Sequence, residues 1–358
     1  MKHYIGCDAH KKYSVFAGIS EAGEIIPSQR VEHDRESYRS FLRGLPPASK
    51  IAVESVGNWY WLIDEMEKAG HIPILVNAGK VKLMMGNINK TDKLDAQGLA
   101  VLSLNGTLPA VWIPPGELRD QRELARMRIF LVHIRTGLKN RIHATFAKYA
   151  ITFQEVSDLF GVRGRHLIEN RLVELPPETR NSVKEQLQLL DQLQRQITEV
   201  EKRIWQIVKI TPEMQLLMSL PGVGPILAIL IAFEIGNVAR FADGAHLASY
   251  CGAVPRVKSS GGKTYYGKTR PDVNHYLKCA FTEAGNAIAA NQHRMTGRHV
   301  VALYQRISRT KGHAKAIGAL RRHLAEAAYA VLKSGQPYHE PVPSRKSLVA
   351  KEVCARLA

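Results

Sequence analysis

The chain has 358 residues, of which 45% are hydrophobic and 23% are charged, and its formal net charge at pH 7 is +18. These values predict a globular protein of two domains, each large enough to bury a core. The longest apolar run, Ile226 to Phe233, is far shorter than the roughly 20 residues that a membrane span needs. The N-terminus has no apolar signal core and the four cysteines have no metal-binding spacing, so we expect no export, zinc site or disulfide framework.

Excess positive charge is the clearest signal in the composition. With a pI near 9.8, the chain is expected to bind an anionic partner, and nucleic acid is the first candidate. The alternative is a basic surface that only interacts with water. The clustering of the charge, described below, favours a nucleic-acid partner.

Strand and helix patterns alternate over the first 110 residues. Strands are predicted at residues 4–7, 13–19, 24–32, 50–53 and 72–76. Helices are predicted at residues 34–42, where Asp34 could be the cap, 59–69 and 94–104. Three leading strands followed by alternating helix and strand are typical of a ribonuclease-H-like α/β domain.

Four acidic residues of this region could bind metal. Asp8 and Glu54 lie in or just after predicted strands, where a carboxylate loses hydration energy unless it is paired or binds a cation. Asp92 and Asp95 lie three residues apart on a predicted helix, so both can project from one face. Four such oxygen ligands would favour Mg²⁺ or Mn²⁺. Any one acid could instead form a cap or a surface ion pair, and Asp92 after Thr91 is the clearest example.

Residues 119–148 are predicted to form a basic helix, whose charged face could contact either nucleic acid or water. After Pro176 and Pro177, apolar residues recur at alternating spacings of three and four. These residues are Leu190, Leu193, Ile197, Val200, Ile204 and Ile207. The spacing predicts a coiled coil that pairs within the chain or with another subunit, and its narrow stripe favours self-association.

A glycine-rich turn begins the second predicted domain, which starts near Thr211. The run from Leu220 to Pro225 precedes an apolar stretch, as in a helix-hairpin-helix motif. In that motif, glycines such as Gly222 and Gly224 let backbone N–H groups approach a phosphate. An ordinary turn between packed helices is the alternative.

Two further segments are strongly basic. Residues 256–278 hold six Lys or Arg residues and one acid, and they are expected to form a loop along a sugar–phosphate backbone. Residues 294–323 hold eight Lys or Arg residues and no acid, a one-sided charge that helical amphipathicity explains only in part. The predicted contacts to nucleic acid are Arg256, Lys258, Lys263, Lys268, Arg270, Arg298, Arg309, Lys311, Lys315 and Arg321.

Several motifs together resemble one family, the DEDD-type IS110 transposases of insertion sequences, to which the Piv DNA invertases are related. In the N-terminal region they are Ile5-Gly6-Cys7-Asp8, Val53-Glu54-Ser55-Val56-Gly57 and Asn89-Lys90-Thr91-Asp92-Lys93-Leu94-Asp95-Ala96. Downstream they are Leu220-Pro221-Gly222-Val223-Gly224, Ala248-Ser249-Tyr250-Cys251-Gly252, Pro255-Arg256 and Ser260-Gly261. The resemblance extends from Ile5 to about Gly335.

This resemblance implies a domain order and a reaction. It implies a RuvC-like catalytic domain at residues 1–150, a helical coiled-coil linker at 151–210, a mostly α transposase domain at 211–335 and a tail at 336–358. It assigns metal binding to Asp8, Glu54, Asp92 and Asp95, and the nucleophile to Ser260, although the neighbouring Ser259 stays a possible alternative. It further implies a bridge RNA that guides the enzyme to donor and target DNA, and assembly of dimers into a tetramer. The expected location is the nucleoid in the cytoplasm of a bacterium or archaeon.

Two other functions remain open at this point. A metal-dependent, structure-selective nuclease resembling a Holliday-junction resolvase would use the acids and the basic charge, but it would leave Ser260 without a role. A nucleic-acid-binding protein with a degenerate nuclease domain would need neither the four acids nor Ser260. Because all four acids are present, the sequence argues against such decay.

Overall fold

The computed structural model of this protein describes residues 2–86 and 91–341. Its contacts separate into two compact units, one ending at Pro115 and the other beginning at Gly116. Within the described residues the protein is mixed α/β and mostly helical, with a five-stranded sheet, a two-stranded sheet and thirteen α-helices. None of these helices is both long enough and apolar enough to cross a membrane.

The first unit is built around the five-stranded sheet. Its strands are β1 (His3–Ala9), β2 (Tyr13–Ser20), β3 (Ile25–Glu32), β4 (Lys50–Glu54) and β5 (Ile72–Val76). Its helices are α1 (Arg35–Gly44), α2 (Trp59–Lys68), α3 (Ala78–Met85) and α4 (Asp92–Leu104). The strand order is β3-β2-β1-β4-β5, in which β1 pairs antiparallel with β2 and parallel with β4. Every predicted strand and helix of this region is confirmed, and α3 is an addition.

Strand β1 is central and buried on both faces. On one face, Ile5 and Cys7 lie in a core with Tyr38 of α1 and Leu62 of α2. On the other face, α4 approaches so closely that a Cβ atom on Gly6 would lie 1.9 Å from the carbonyl oxygen of Ala96. Glycine at this position therefore fixes how α4 crosses the sheet.

The second unit is a helical assembly that carries one hairpin. Its helices are α5 (Gly116–Ala147), α6 (Val162–Arg171), α7 (Pro177–Ile207), α8 (Pro212–Met218), α9 (Pro225–Ile235), α10 (Gly244–Tyr250), α11 (His275–Ala290), α12 (His299–Lys311) and α13 (His313–Ser334). The hairpin strands are β6 (Pro255–Ser260) and β7 (Lys263–Thr269). Helix α9 is buried along most of its length, because its sequence is apolar almost throughout.

A buried ionic group connects three helices of this unit. Glu234 of α9 is fully buried, and its carboxylate accepts hydrogen bonds from Nε of Arg126 on α5 at 2.7 Å and from Nδ2 of Asn274 at 2.7 Å. Asn274 in turn caps α11, accepting from the backbone N–H of Leu277. Arg122 of α5 donates to the carbonyl oxygen of Phe233. The charges are thus compensated inside the core.

The middle of the apolar stripe of α7 is covered by α5 of the same chain, whereas Ile207 at its C-terminal end is exposed. Leu193 and Ile197 pack in one cluster with Leu131 of α5, and Val200 lies beside them. Pairing within the chain, one of the two alternatives, is therefore observed for these residues, because α5 supplies the partner surface; self-association of the stripe stays a prediction.

Candidate active site

Two of the predicted acids are positioned by neighbouring parallel strands. Cys7 of β1 stands opposite Val53 of β4, so the next residues, Asp8 and Glu54, lie side by side at the same edge of the sheet. Because side chains alternate along a strand, both project from the face that α4 covers rather than from the face that holds Cys7. Asp8 is only 8% exposed, and Glu54 is half-buried.

The other two acids lie in the first turn of α4. Thr91 caps this helix, because its hydroxyl oxygen accepts from the backbone N–H of Leu94. Asp92 and Asp95 follow directly, at the helix end whose free N–H groups favour negative charge. The close contact of α4 with Gly6 brings the start of the helix over Asp8. Asn89 and Lys90, which precede Thr91 in the sequence motif, lie outside the described residues.

Two side chains that the sequence analysis missed lie beside these acids, and one of them joins Asp8 to Asp92. The Nε2 atom of His10 lies 3.1 Å from Oδ2 of Asp8 and 3.2 Å from Oδ2 of Asp92. The hydroxyl group of Tyr13 donates to the same oxygen of Asp92 at 3.0 Å. His10 follows Asp8 by two residues, which is the one signal in the sequence that could have pointed to it.

Among the described residues, one group of donor atoms is close enough to share a metal ion. It comprises Asp8, His10 and Asp92, whose donor atoms all lie within 4.8 Å of one another. Asp95 and Glu54 are not part of this close group, although the charge of Asp95 acts on Asp8. The structure therefore brings together Asp8 and Asp92 of the four predicted acids and adds the imidazole of His10.

Burial and like charge shape the electrostatics of this group. Desolvation raises the pKa of Asp8, and the carboxylates of Asp92 and Asp95 raise it further, while His10 opposes the shift. The hydrogen bond to Asp92 raises the pKa of Tyr13. Closely spaced carboxylates of this kind repel one another, and a cation between them would relieve the repulsion.

Ser260 lies on a solvent-exposed hairpin of the second unit. The sequence predicts a loop here, and this prediction is wrong: residues 255–260 and 263–269 pair as antiparallel strands. Gly261 and Gly262 have φ values of 56° and 75°, which a tight two-residue hairpin turn requires. The valine, threonines and tyrosines of the strands favour extended backbone.

The hairpin separates its two serines onto opposite faces. Ser260 stands opposite Lys263, and two positions along, Lys258 stands opposite Tyr265, so these residues share one face. Ser259 belongs to the other face, where its hydroxyl group lies 3.3 Å from that of Thr264.

The predicted phosphate-binding cations differ in how available they are. Arg256, Lys258, Lys263 and Lys268 of the hairpin, and Arg309, Lys311 and Lys315 of α12 and α13, are exposed. Three arginines have protein partners instead. Arg270 binds Asp272 through two hydrogen bonds, Arg298 donates to Glu340 at 2.7 Å, and Nη1 of half-buried Arg321 lies 3.4 Å from Thr282.

The two glycines of the α8–α9 turn have different surroundings. Gly222 has a φ of 76°, and a Cβ atom there would lie 2.3 Å from the carbonyl oxygen of Ala284 on α11. This residue is therefore needed for helix packing. Gly224 is exposed and precedes α9, and a Cβ atom there would meet no described neighbour within 4 Å. A phosphate contact at this helix start stays a prediction.

Two family models match this chain. A model of DEDD-type IS110 transposases matches residues 5–151, a range that contains all four predicted acids. A second, described as the transposase IS116/IS110/IS902 family, matches residues 214–301, a range that contains Ser260.

Two curated transposases are similar over most of this chain, and a third protein is similar over a short segment. A probable family 20 transposase of Pseudomonas aeruginosa is 25% identical over 316 residues, which are 84% of this chain and 89% of that protein. The transposase for insertion sequence element IS1111A of Coxiella burnetii is 25% identical over 337 residues, 93% of this chain and 90% of that protein. A pilin gene-inverting protein of Moraxella bovis is 38% identical over 69 residues, 18% of this chain and 21% of that protein.

Proposed function

Because this chain belongs to the DEDD-type IS110 family of transposases, enzymes that cut and rejoin DNA, we propose that it recombines DNA through a phosphoserine intermediate. Ser260 is the proposed nucleophile, and Asp8, Glu54, Asp92 and Asp95 are the proposed metal-binding acids. A bridge RNA is proposed to guide the enzyme to donor and target DNA. The observation that carries this proposal is the meeting of Asp8 and Asp92 at one edge of the sheet, 84 positions apart in a chain of this family.

The topology of the first unit supports a RuvC-like domain. Three antiparallel strands followed by two parallel ones, in the order β3-β2-β1-β4-β5, are the arrangement expected of a ribonuclease-H-like sheet. Asp8 on the central strand and Glu54 on its parallel neighbour lie at the sheet edge where such parallel strands end.

The donor set fits a divalent cation. Asp8 is a buried carboxylate whose neighbours Asp92 and Asp95 are also acidic, and such a group is stable when a cation compensates it. Asp8 and Asp92 would hold the ion, with Glu54 and Asp95 beside them. A bound Mg²⁺ or Mn²⁺ would supply Lewis-acid stabilisation of phosphate charge.

Ser260 has the exposure that a nucleophile toward DNA requires. Its Oγ would form a bond to the phosphorus atom of the scissile phosphodiester, and a DNA hydroxyl end would leave with the proton. The resulting phosphoserine ester conserves the energy of the cleaved phosphodiester bond. Attack on this ester by another DNA hydroxyl group can therefore reseal the strand without ATP. Lys263 and Lys258, on the same face as Ser260, would balance phosphate charge.

The exposed cations support binding of nucleic acid over several surfaces. Lys and Arg residues on the hairpin and around the α12–α13 junction face solvent. They would contact DNA or RNA phosphates, which makes binding strongly salt-dependent. Guidance by a bridge RNA and assembly into a tetramer rest on family membership alone.

Covalent trapping tests the proposal. The full chain would be incubated with RNA from the flanking region of its element, Mg²⁺ or Mn²⁺, and labelled donor and target DNA, and then run on a denaturing gel. We expect a protein–DNA adduct with wild type and with the matched control Ser259→Ala, and none with Ser260→Ala or Asp92→Asn. Free nicked DNA without an adduct, in both wild type and Ser260→Ala, would favour a hydrolytic nuclease instead.

A further inference from the structure

His10 occupies a fixed position beside the acids. It begins the short turn between β1 and β2, where its backbone N–H donates to the carbonyl oxygen of Tyr13 at 2.9 Å. Its own carbonyl oxygen accepts from Nδ2 of Asn58 at 2.9 Å. The backbone on both sides of the imidazole is thus held by hydrogen bonds, and the ring stacks at a tilt on that of Tyr13, with centroids 4.7 Å apart.

The imidazole of His10 has more acceptor atoms beside its Nε2 atom than one hydrogen bond can pair. Its Nε2 atom is close to two carboxylate oxygens, one from Asp8 at 3.1 Å and one from Asp92 at 3.2 Å. A ring nitrogen carries at most one hydrogen, so these two acceptors compete for it. The oxygen of Asp92 already accepts from Tyr13. One nitrogen and two carboxylate oxygens that converge in this way resemble a ligand set more than an ion pair.

We propose that His10 is a nitrogen ligand of the metal held by Asp8 and Asp92, and that it makes this site prefer Mn²⁺ to Mg²⁺. The inference rests on the proposed metal site and deepens it. Mn²⁺ binds nitrogen ligands more weakly than the later first-row transition metals do, but it accepts an imidazole more readily than Mg²⁺, which prefers ligand sets made of oxygen. A site of carboxylates alone would discriminate less between the two ions.

Metal binding by the full chain, without nucleic acid, tests this. Isothermal titration calorimetry would measure the Kd of Mn²⁺ and of Mg²⁺ for wild type, His10→Ala and His10→Asn. His3→Ala is the matched control, because it removes a histidine from the start of β1, at the end of the strand away from His10. His10→Asn keeps a polar side chain with an amide oxygen, so it still reports on metal preference if the alanine variant fails to fold.

We expect wild type and His3→Ala to bind Mn²⁺ more tightly than Mg²⁺. Both His10 variants should weaken Mn²⁺ binding about tenfold or more while changing Mg²⁺ binding far less. Electron spin-echo spectra of bound Mn²⁺ should show a nitrogen nucleus in wild type, and this signal should vanish in His10→Asn. Unchanged or tighter Mn²⁺ binding by the His10 variants, without a nitrogen signal in wild type, would overturn the inference and leave the carboxylate site intact. If Asp92→Asn binds both ions as wild type does, the proposed metal site itself is wrong, and the inference falls with it.

Discussion

Ser260 stands directly opposite Lys263 across the tight turn of the β6–β7 hairpin. Its neighbour Ser259 points to the other face, where its hydroxyl group meets that of Thr264. A serine beside a cation, with its hydroxyl group exposed to solvent, is better suited to attack a phosphate than one whose hydroxyl group is paired. This relationship supports Ser260 over Ser259 as the proposed nucleophile.

Tyr265 shares the face of Ser260, while Tyr266 lies on the opposite face, and both side chains are more than 60% exposed. If the Ser260 face contacts DNA, Tyr265 can stack on a base next to the cleaved phosphate. Tyr265→Ala should weaken DNA binding by about 1–3 kcal/mol, the range for loss of a base–aromatic stack. Fluorescence anisotropy with labelled DNA measures this, and Tyr266→Ala is the matched control. Equal losses in both variants would contradict a one-sided interface.

Gly6 allows α4 to lie directly on β1. Gly6→Ala would force a Cβ atom to within 1.9 Å of a backbone oxygen, so the helix must move away. We expect the free energy of unfolding of the first unit to fall by about 3 kcal/mol, as in severe overpacking. Denaturant titration measures it. Gly44→Ala is the control, because a Cβ atom at this position of α1 meets no described atom within 4 Å. It should leave the free energy of unfolding unchanged or raise it slightly. Equal destabilisation by the two variants would show that the contact between Gly6 and α4 does not matter for stability.

Thr91 caps the helix that carries Asp92 and Asp95. Thr91→Ala should lower the free energy of unfolding by about 1 kcal/mol, since one helix N–H loses its acceptor. It should also reduce metal-dependent DNA cleavage, because the first turn of α4 becomes less ordered. Asp34→Ala removes the equivalent cap from α1 and should destabilise similarly without this loss of cleavage. Equal cleavage by the two variants would show that the cap does not matter for the reaction.

Glu234 holds together the polar centre of the second unit. Glu234→Ala removes the carboxylate that Arg126 and Asn274 share, and it leaves the buried Arg122, whose Nη2 atom lies 3.8 Å from that carboxylate, without this compensating charge. We expect a loss of about 3–5 kcal/mol in the free energy of unfolding, the cost of an uncompensated buried charge. Glu199→Ala is the control, because it breaks a solvent-exposed pair with Lys202 and should cost less than about 1 kcal/mol. A similar midpoint of denaturation for both variants would contradict this account.

The pattern of neighbouring residues is enough to predict the sheet of the first unit. The side-chain contacts of the site are not predicted, because they join residues that are far apart in the sequence. The apolar runs of β1 and β2 and the capping residue Asp34 are properties of neighbouring residues. The cap of α4 is Thr91 and not Asp92, the acid for which a capping role was the alternative. The bond between Tyr13 and Asp92 joins positions 79 residues apart, so no local pattern reveals it.

In the second unit, too, neighbouring residues predict local features, whereas contacts between distant residues are not predicted. The spacing of Leu193 and Ile197 predicted an apolar stripe correctly, yet spacing alone cannot say which surface covers it, and α5 does. The glycines and charges around Ser260 predict a loop, whereas the β-branched and aromatic residues of this segment form β6 and β7.

Mass spectrometry of the trapped adduct would identify the residue that is bonded to DNA. After nuclease and trypsin digestion, the peptide from Ser259 to Lys263 would be fragmented to locate the bound nucleotide. We expect a nucleotide phosphate on Ser260 in wild type and none in Asp92→Asn protein. A nucleotide on Ser259 or on another residue, or cleaved DNA without any modified peptide, would contradict it.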